Sequence, residues 1–594
     1  MTTSDKLTQL RQAMADASAD AYIIANADPH NNEYTAADWH FRHWLSGMKG
    51  SNGTVVVTAE WAGLWTDSRY YEAAEMALEG TGIELMKMSD FDVPSISEWL
   101  KKNLESGQSV GFNGGITNLK QAKAWVKEFN LVGIKSLSDL DLISPLWTDR
   151  PAAAEGELFI VEDQYAGVSI QDKIASVRAK MTEEKLDAHL LGRTDESCWL
   201  LNFRGTDMVD NTTPYCHTLV TQDKVILFIN RAKITSEARE KFETAGVTIS
   251  DYDAIDTALQ GLDASTRLLI IPNYLNYNLA KNTAHCVQVE SRAIVTDLKA
   301  AKNATEIKHF KQCHIDDGVA MVKFYVWLYR TLNAGDSVSE LSASKKLLSC
   351  RTEMEGFRHA SFESIMGYGP DGSLNHYSVD ETNDKPVLLE NIFLIDSGGN
   401  YLKGTTDTTR TIPMGAPTQE QKEDYTAVLS SMIELLTFEF AEGTTGAQLD
   451  GICRRPLWAA GRDFKHGTGH GVGFGLEVHE GPQNISGVNT EKMKLGMVTT
   501  IEPGCYRPGS HGIRIENMVH TVLSKQTDFG RFFKFENLTI CPINTDLVDP
   551  AFLADRHRTW LNDYNQEVYE KISPQLNDEE REWLKHECRA LAAS

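Results

Sequence analysis

Apolar positions in the first part of the chain follow two spacings, one typical of helices and one typical of buried strands. Leu7, Leu10 and Met14 recur at helical spacing, and the apolar run AYIIAN (21–26) that follows them predicts a buried strand. Helices and strands keep alternating until the segment 144–157, which contains two prolines and a run of small residues. Such a segment is typical of a domain boundary. Residues 1–150 are therefore predicted to form an α/β domain.

The same pattern begins again after this boundary. An amphipathic stretch at 170–181 leads to the apolar run KLDAHLLG (185–192), which corresponds in position to AYIIAN. The segment WLLNFRGTD (199–207) likewise corresponds to WLSGMKGSN (44–52), although the match is weak. The repeated order predicts a second α/β domain of similar plan over residues 151–300.

The remaining residues, 301–594, predict an α+β domain with a helical tail. Its helix starts are marked by pairs that can form capping boxes, Asn303 with Glu306, Thr418 with Gln421, and Thr445 with Gln448. Between the helices lie the apolar strands NIFLIDSGG, TTRTIP, MVTTIEPG and GIRIENMVHTV. From about residue 550 the chain is amphipathic, and Trp560, Tyr564 and Val568 fall on one face of a predicted helix.

Composition narrows the classes of function. A chain of 594 residues should hold three or four domains, and 41% hydrophobic with 24% charged residues is ordinary for a globular protein. A net charge of −25 argues against a nucleic-acid partner, which needs a concentrated basic surface. Nine scattered cysteines without a CxxC pair argue against a disulfide framework. Because the sequence has neither a signal-peptide pattern nor an apolar run of about 18 residues, we predict a cytoplasmic protein without membrane contact.

The candidate chemistry centres on the segment HGTGHGVGFGLEVHEGP (466–482). It contains His466, His470 and His479 among several glycines. Two histidines four residues apart on a helix would form the usual zinc-protease pair, but the interleaved glycines argue against a helix. A strand or tight loop that brings imidazoles close to a small ligand is the alternative we favour. A glycine-rich surface loop with incidental histidines remains the competing interpretation of this segment by itself.

Four acidic residues in or beside apolar strands change that balance. Asp396 ends the run IFLI, and Asp407 opens DTTRT eleven positions later, a spacing that predicts a hairpin partner strand. Glu502 follows TTI, and Glu516 lies in GIRIENM. Each of them alone is explained by pairing with a nearby Arg or Lys. Four carboxylates brought together repel one another, and their charge must be offset by protonation or by cations. Two divalent ions would balance them, and an oxygen-rich set with one imidazole suits manganese, cobalt, iron or zinc.

This order of motifs resembles the pita-bread metallopeptidases, and among them aminopeptidase P in its long three-domain form. The motifs are LIDSGG, DTTRT, HGTGHGVG with EVHEGP, TIEPG and IRIEN. The resemblance extends to SGMKGSNGTVVVT with TDSRYY, to WLLNFRGTD and to AKNATEIKHF, so it covers nearly the whole chain. It implies two creatinase-like α/β domains followed by a pita-bread catalytic domain.

The resemblance also implies a pair of metal ions. Asp407 and Glu516 would bridge both ions, Asp396 would chelate one, and His470 with Glu502 would hold the other. Such a pair shares a water molecule, lowers its pKa and delivers hydroxide to a polarised carbonyl. The resemblance makes manganese the expected metal, with cobalt or zinc as alternatives.

Four further residues receive roles through the same resemblance. His376, His466 and His479 match the family's non-ligand histidines, which bind the scissile carbonyl, stabilise the oxyanion or move the proton. Proton delivery matters because the departing proline nitrogen must be protonated and carries no N–H in the peptide. Arg69, in TDSRYY, matches the arginine used for peptide contact; by sequence alone it is an ordinary ion-pairing residue.

The function implied is removal of the N-terminal residue from peptides with proline at the second position. A prolidase restricted to Xaa-Pro dipeptides shares the five ligands but usually has one N-terminal domain. A non-catalytic peptide-binding or chaperone-like pita-bread module is the alternative from another class, and intact residues at all five ligand positions argue against it. The resemblance further implies a homodimer.

Overall fold

The computed structural model describes residues 1–88 and 90–592. The chain forms two compact units. The first contains residues 1–161, 168–208 and 212–296, and the second contains residues 162–167, 209–211 and the chain from 297 onward. The predicted domain limits at residues 150 and 300 stay predictions.

The first part of unit 1 is built around a six-stranded sheet with strand order β4-β3-β2-β1-β5-β6. The elements are α1 (Thr3–Asp16), β1 (Ala21–Ala25), α2 (Phe41–Ser46), β2 (Thr54–Thr58), β3 (Ala62–Thr66), α3 (Tyr71–Leu78), β4 (Glu84–Lys87), α4 (Ile96–Asn103), β5 (Ser109–Phe112), α5 (Leu119–Asn130) and β6 (Lys135–Leu137). The predicted helix stripe and buried strand at the N-terminus are confirmed, because Leu7, Leu10 and Met14 are buried on α1 and β1 lies in the sheet.

A second six-stranded sheet follows in the same unit, in the order β12-β11-β10-β8-β13-β14. The elements are β7 (Leu158–Ile160), α6 (Asp163–Ala166, which belongs to unit 2), α7 (Ile170–Glu183), β8 (Ala188–Leu191), α8 (Thr194–Leu200), β9 (Phe203–Gly205), β10 (Cys216–Thr221), β11 (Val225–Ile229), α9 (Ser236–Thr244), β12 (Val247–Ser250), α10 (Ile255–Gln260), β13 (Arg267–Ile270), α11 (Tyr277–Asn282), β14 (Val287–Glu290) and α12 (Ile294–Ala300, which belongs to unit 2 from Asp297 onward).

The two sheets have one topology. In the first, β1 and β2 pair antiparallel while β1 pairs parallel with β5, and in the second, β8 and β10 pair antiparallel while β8 pairs parallel with β13. The outer pairs β3–β4 and β11–β12 are also both parallel. The predicted repetition of one α/β plan is thereby confirmed.

Unit 2 combines long helices with short antiparallel sheets. After α12 it contains α13 (Ala304–Asn333), β15 (Val338–Ser339), α14 (Glu340–Thr352), β16 (Phe357–Ala360), β17 (Ile365–Tyr368), β18 (Pro386–Val387), β19 (Ile392–Ser397), β20 (Gly399–Tyr401), β21 (Gly404–Thr405), β22 (Thr408–Pro413), α15 (Gln419–Leu436), β23 (Phe440–Ala441), α16 (Gly446–Ala459), β24 (Gly469–His470), β25 (Asn484–Ile485), β26 (Val498–Ile501), β27 (Gly504–Arg507), β28 (His511–Arg514), β29 (Asn517–Thr527), β30 (Gly530–Asn537), α17 (Asp555–Ile572) and α18 (Asp578–Glu587). Capping boxes start α13, α15 and α16, as the sequence predicts, and Asn577 with Glu580 forms another at the start of α18.

The core of unit 2 lies between α15, α16 and the tail helices on one side and the strands on the other. Leu429, Met432 and Ile433 of α15 pack in one cluster with Ile513 and Ile515, and each of these residues is fully buried. Ile513 and Ile515 are buried on one face, so the alternate residues Arg514 and Glu516 point toward the other face. The strand ends that carry acidic residues are thus held by a rigid apolar core.

A buried histidine cluster lies in unit 1. The His30 Nδ1 atom lies 2.8 Å from the Gly192 carbonyl oxygen, and its Nε2 atom lies 2.8 Å from the Tyr252 hydroxyl. The His30 and His217 rings are 4.1 Å apart between centroids. Burial lowers the pKa of His30 to about 4, and burial together with the neighbouring His30 ring lowers the pKa of His217 well below its usual value.

These histidines predict that unit 1 loses stability in mild acid. The unfolded chain takes up a proton at each imidazole near pH 6.5, whereas folded His30, His189 and His217 resist protonation, so the free energy of unfolding falls as pH falls from 6.5 towards 4. By pH 5 the resistance of His30 and His189 to protonation lowers the free energy of unfolding by about 2 kcal/mol for each residue. Burial also raises the pKa of Asp28 to about 6 and raises the pKa of Asp38 and Asp207, and these carboxyl groups act in the opposite direction. The pKa values of His40 and His43 are lowered by burial and act in the same direction as the three histidines.

Thermal unfolding at pH 7.5 and pH 5 checks this, with His217→Phe as the test variant. From pH 7.5 to pH 5, we expect the melting temperature of the variant to fall less than that of the parent. The variant has one fewer buried imidazole that resists protonation. Equal losses in both proteins would contradict the prediction.

The helices and thiols add two observations. Among the described residues, no helix combines the length and the apolar character that crossing a bilayer requires. The nine cysteines are buried free thiols.

Candidate metal centre

Two of the predicted acidic residues lie on one antiparallel strand pair. Asp396 is the penultimate residue of β19, which pairs with β22 so that Asp396 faces Thr409. Asp407 directly precedes β22. The predicted pairing of these two segments is confirmed, and it places both carboxylates at the same end of the strand pair.

The two glutamates reach the same place from other strands. Glu502 follows β26, and its backbone N–H donates to the Thr468 carbonyl at 2.7 Å. Glu516 lies between β28 and β29, and its backbone N–H donates to the Thr409 carbonyl at 3.1 Å. The Thr409 hydroxyl in turn donates to Glu516 Oε2 at 2.8 Å. Thr409 therefore fixes Glu516 by its backbone and by its side chain.

His470 completes the cluster from the glycine-rich segment, which forms the short strand β24 and not a helix. Its Nε2 atom lies 3.3 Å from Asp407 Oδ2 and 3.6 Å from Glu502 Oε1. One donor atom each from Asp407, His470 and Glu516 falls within 4.8 Å of the others. The His470 Nδ1 atom lies 3.0 Å from the Gly471 carbonyl oxygen. A proton on Nδ1 can be donated to this carbonyl, and Nε2 is then free to bind an ion.

The cluster carries an excess of negative charge, because its carboxyl groups outnumber the cations beside them. Burial raises the pKa of Asp396, Glu502 and Glu516, and for Glu516 the charges of Asp407, Glu502 and Asp396 raise it further. Burial opposes protonation of His470, but its hydrogen bond to Asp407 and the charge of Glu502 outweigh burial and raise its pKa to about 9. The cluster thus attracts positive charge.

The residues present fit a metal site. The Asp396 Oδ1 atom is buried and has no hydrogen-bond partner within the described part of the chain. A buried carboxylate oxygen without a partner is costly unless a cation completes it. The donor set of four carboxylates and one imidazole is the kind that divalent transition ions bind.

An ordered network extends from Asp396 to His466. The Arg514 Nη2 atom donates to Asp396 Oδ2 at 2.5 Å, and Nη1 donates to the Tyr506 hydroxyl oxygen at 2.7 Å. The Tyr506 hydroxyl lies 2.8 Å from His466 Nε2, while His466 Nδ1 lies 2.7 Å from the Gly467 carbonyl. With Nδ1 protonated and donating to Gly467, His466 Nε2 accepts a hydrogen bond from the Tyr506 hydroxyl.

His479 contacts a residue of the cluster directly, whereas His376 lies on a neighbouring segment. The His479 ring meets the His470 ring edge to face, with 4.2 Å between centroids. His376 is half-buried on the turn after a 3₁₀ segment, Gly369–Ser373, whose Gly372 backbone packs closely against Gly512 of β28. The structure thus brings His479 against the cluster and places His376 on a segment packed against β28, the strand that leads to Glu516.

Arg69 lies in unit 1 and interacts with two residues close to it in sequence, Asp67 and Tyr70. Its Nε and Nη2 atoms donate to the two carboxylate oxygens of Asp67 at 2.9 and 2.8 Å, and its guanidinium lies over the Tyr70 ring. This is the ion pair that sequence reasoning alone expects, and the role of Arg69 in peptide contact stays a prediction.

Sequence reasoning missed two residues of the site. Tyr506 joins His466 to Arg514, and Thr409 holds Glu516, yet neither residue is charged or flanked by an unusual pattern. The one available signal for Thr409 was its place in DTTRT, two positions after Asp407. For Tyr506 the sequence contained no signal.

Family models match the chain along most of its length. The catalytic part, residues 308–522, matches metallopeptidase family M24, and residues 531–591 match the C-terminal region of that peptidase. Residues 6–143 and 149–306 each match the creatinase/prolidase N-terminal domain.

Individual relatives match over the whole chain. A probable Xaa-Pro aminopeptidase P of Laccaria bicolor is 37% identical over 99% of this chain and 94% of its own length. Aminopeptidase P2 of Arabidopsis thaliana is 34% identical over 99% of this chain and 88% of its own length. The crystal structure of X-prolyl aminopeptidase from Caenorhabditis elegans, a cytosolic enzyme with a di-nuclear active site, superposes with a TM-score of 0.95 at 32% identity and covers 100% of both chains. The chain therefore belongs to the Xaa-Pro aminopeptidase P group of metallopeptidase family M24.

Proposed function

We propose that this metallopeptidase releases the N-terminal residue from peptides whose second residue is proline. The observation that carries the proposal is the convergence of Asp396, Asp407, His470, Glu502 and Glu516 at one buried place, with a carboxylate oxygen of Asp396 left without a partner. The relatives named as Xaa-Pro aminopeptidases support the choice of substrate.

The five residues would hold two divalent ions, and manganese is our proposal for both. Asp407 and Glu516 would bridge them, Asp396 would complete one site, and His470 with Glu502 would complete the other. The 3.3 and 3.6 Å separations of His470 from Asp407 and Glu502 support that grouping. When bound, the ions supply an activated water and polarise the scissile carbonyl.

The remaining residues would handle the substrate and its proton. We propose that His479 and His376 bind the carbonyl oxygen as its charge develops, or carry the proton to the proline nitrogen. His466, whose Nε2 faces the Tyr506 hydroxyl, would act through that hydroxyl and Arg514 on Asp396. Arg69 would contact the peptide.

Hydrolysis of matched peptides tests the proposal. We expect cleavage of Xaa-Pro-Yaa tripeptides with added manganese, much less cleavage of Xaa-Ala-Yaa because the proline ring contacts are lost, and loss of activity on chelation. An Asp407→Asn variant purified in the same way controls for contaminating peptidases. Equal specificity constants for the proline and alanine peptides, or full activity after chelation, would overturn the proposal.

The same assay separates the alternatives. Cleavage of Xaa-Pro dipeptides with no cleavage of tripeptides would indicate a prolidase, and metal-independent peptide binding without turnover would indicate a non-catalytic module. We further propose a cytoplasmic location, supported by the description of the Caenorhabditis elegans enzyme as cytosolic. The homodimer stays a prediction, which light scattering tests.

A further inference from the structure

Three buried charged residues form a cluster beside the glycine-rich segment, which we name the lysine clamp: Lys299, Lys302 and Glu480. Lys299 Nζ lies 2.9 Å from Glu480 Oε2, and Lys302 Nζ forms a second salt bridge with Glu480 Oε1. Lys302 Nζ also donates to the Lys299 carbonyl at 2.8 Å. The three side chains are only 1–2% exposed. The two ammonium groups share this carboxylate, and taking such ions out of water is costly unless their pairing geometry is good.

The clamp is joined directly to a candidate metal ligand. The Glu480 backbone N–H donates to the Gly471 carbonyl at 2.8 Å, and the same carbonyl lies 3.0 Å from His470 Nδ1. A carbonyl that accepts from one ring nitrogen fixes the tautomer and the orientation of the imidazole, and so presents the other nitrogen to a metal. Glu480 also follows His479, whose ring meets that of His470.

The backbones of Glu480 and Gly471 are tightly packed against each other. A Cβ atom on Gly471 would lie 2.0 Å from the Glu480 carbonyl oxygen, so the two backbones are in direct contact. At its other end the clamp is fixed by Lys302, whose backbone N–H donates to the Gly496 carbonyl at 2.9 Å, close before β26 and Glu502. A shift of the Glu480 carboxylate therefore moves the segment that carries His470 and His479.

We propose that Lys299 and Lys302, acting through Glu480, are positioning residues that orient His470 for metal binding and set His479 beside it. They do not touch the substrate or the ions. The proposal rests on the proposed metal centre and deepens it, because it assigns to the start of the catalytic region a role in the ligand geometry.

Lys302→Met tests the proposal, since it removes one cation and leaves Glu480 paired with Lys299. We expect the metal dissociation constant, measured by competition with a chromogenic chelator, to rise about 10- to 100-fold. At saturating metal we expect kcat to fall about 10-fold or more with KM nearly unchanged, because the histidines are displaced while the substrate contacts remain. The visible absorption of the cobalt-loaded protein should shift, as expected for an altered His470 ligand geometry. Lys302→Arg should restore most of the metal affinity and most of kcat.

Matched controls separate positioning from general stability. Lys323→Met removes a partly exposed ion pair with Glu353 on the surface of the same unit and should leave metal affinity and kcat unchanged. If Lys302→Met does not fold, Lys299→Met removes the other cation and should show the same pattern. A variant that melts earlier but retains parental metal affinity, cobalt spectrum and kcat well below its melting temperature would overturn the proposal.

The test also separates this inference from the proposed function. Parent protein that binds two metal ions but cleaves no proline peptide would contradict the proposed substrate and leave the metal-affinity comparison intact. Parent protein that cleaves Xaa-Pro-Yaa peptides while Lys302→Met binds metal as tightly would contradict the clamp alone.

Discussion

His470→Ala should lose a metal ion together with activity, whereas His479→Ala should retain close to two ions per chain and lose turnover. His470 directs Nε2 at Asp407 and Glu502, so its removal deletes a ligand. His479 lies edge-on against the His470 ring, and its removal takes away proton transfer or oxyanion stabilisation, worth about 10²–10⁴ in kcat.

The proximity of the two rings makes the comparison decisive. With centroids 4.2 Å apart, His479 is close enough to His470 to be tested as a replacement ligand. Elemental analysis of each variant, run beside kinetics, distinguishes the roles. His376→Ala, on the turn after the 3₁₀ segment Gly369–Ser373, should behave like His479→Ala. Loss of metal in His479→Ala, or full metal in His470→Ala, would reverse the assignment.

Much of the site framework follows from local patterns. The apolar run that ends in Asp396 and the turn-rich interval before Asp407 predict paired strands, and β19 and β22 pair as expected. Glycines around His470 exclude a helix, and the segment contains the strand β24. In each case a short-range property, strand periodicity or the low helix propensity of glycine, decides the structure.

Other features depend on contacts that no local pattern encodes. The segment WLSGMKGSN suggests turns between strands, yet Phe41–Ser46 is helical and Gly47 ends it with φ of 75°. A glycine that ends a short segment such as FRHWLS (41–46) is equally compatible with a strand end and a helix C-cap, and tertiary packing chooses between them. The helix in this segment was therefore not predicted.

The polar partners of the site are the hardest to predict. Thr409 meets Glu516 across 107 positions, and Lys302 meets Glu480 across 178. Alternation along a strand tells which face a side chain occupies but not which distant residue lies opposite. The sequence thus singled out the acidic residues and left their hydrogen-bonding partners unassigned.

Arg514 is the exception, because strand alternation places this cation on the same face as Glu516. The structure gives it a more specific role. Arg514 is 3% exposed, donates to Asp396 Oδ2 at 2.5 Å and to the Tyr506 hydroxyl at 2.7 Å, and its Nε donates to Thr409 Oγ1 at 3.2 Å. Because one Asp396 oxygen is held by Arg514, the other oxygen is left for an ion.

Two opposing effects decide the outcome of Arg514→Ala. Loss of a nearby cation removes its repulsion of the metal ions, which favours metal binding. Loss of the hydrogen bond frees Asp396 to rotate and deprives the buried carboxylates of a compensating charge, which favours their protonation. Loss of a residue that orients a metal ligand typically weakens metal binding 10- to 100-fold, and the repulsion relieved is shared with the carboxylates that Arg514 already neutralises.

We therefore expect Arg514→Ala to bind metal about 10- to 100-fold more weakly and to melt earlier, since breaking a buried ion pair costs about 3–5 kcal/mol. Tyr506→Phe, which removes only the hydroxyl, should show a smaller loss of affinity in the same direction. Arg514→Lys should restore little, because an ammonium cannot reach Asp396, Tyr506 and Thr409 together. Metal titration of the three variants checks the order. Unchanged affinity in Arg514→Ala would reduce the residue to packing, and tighter binding would show that cation repulsion outweighs the positioning of Asp396.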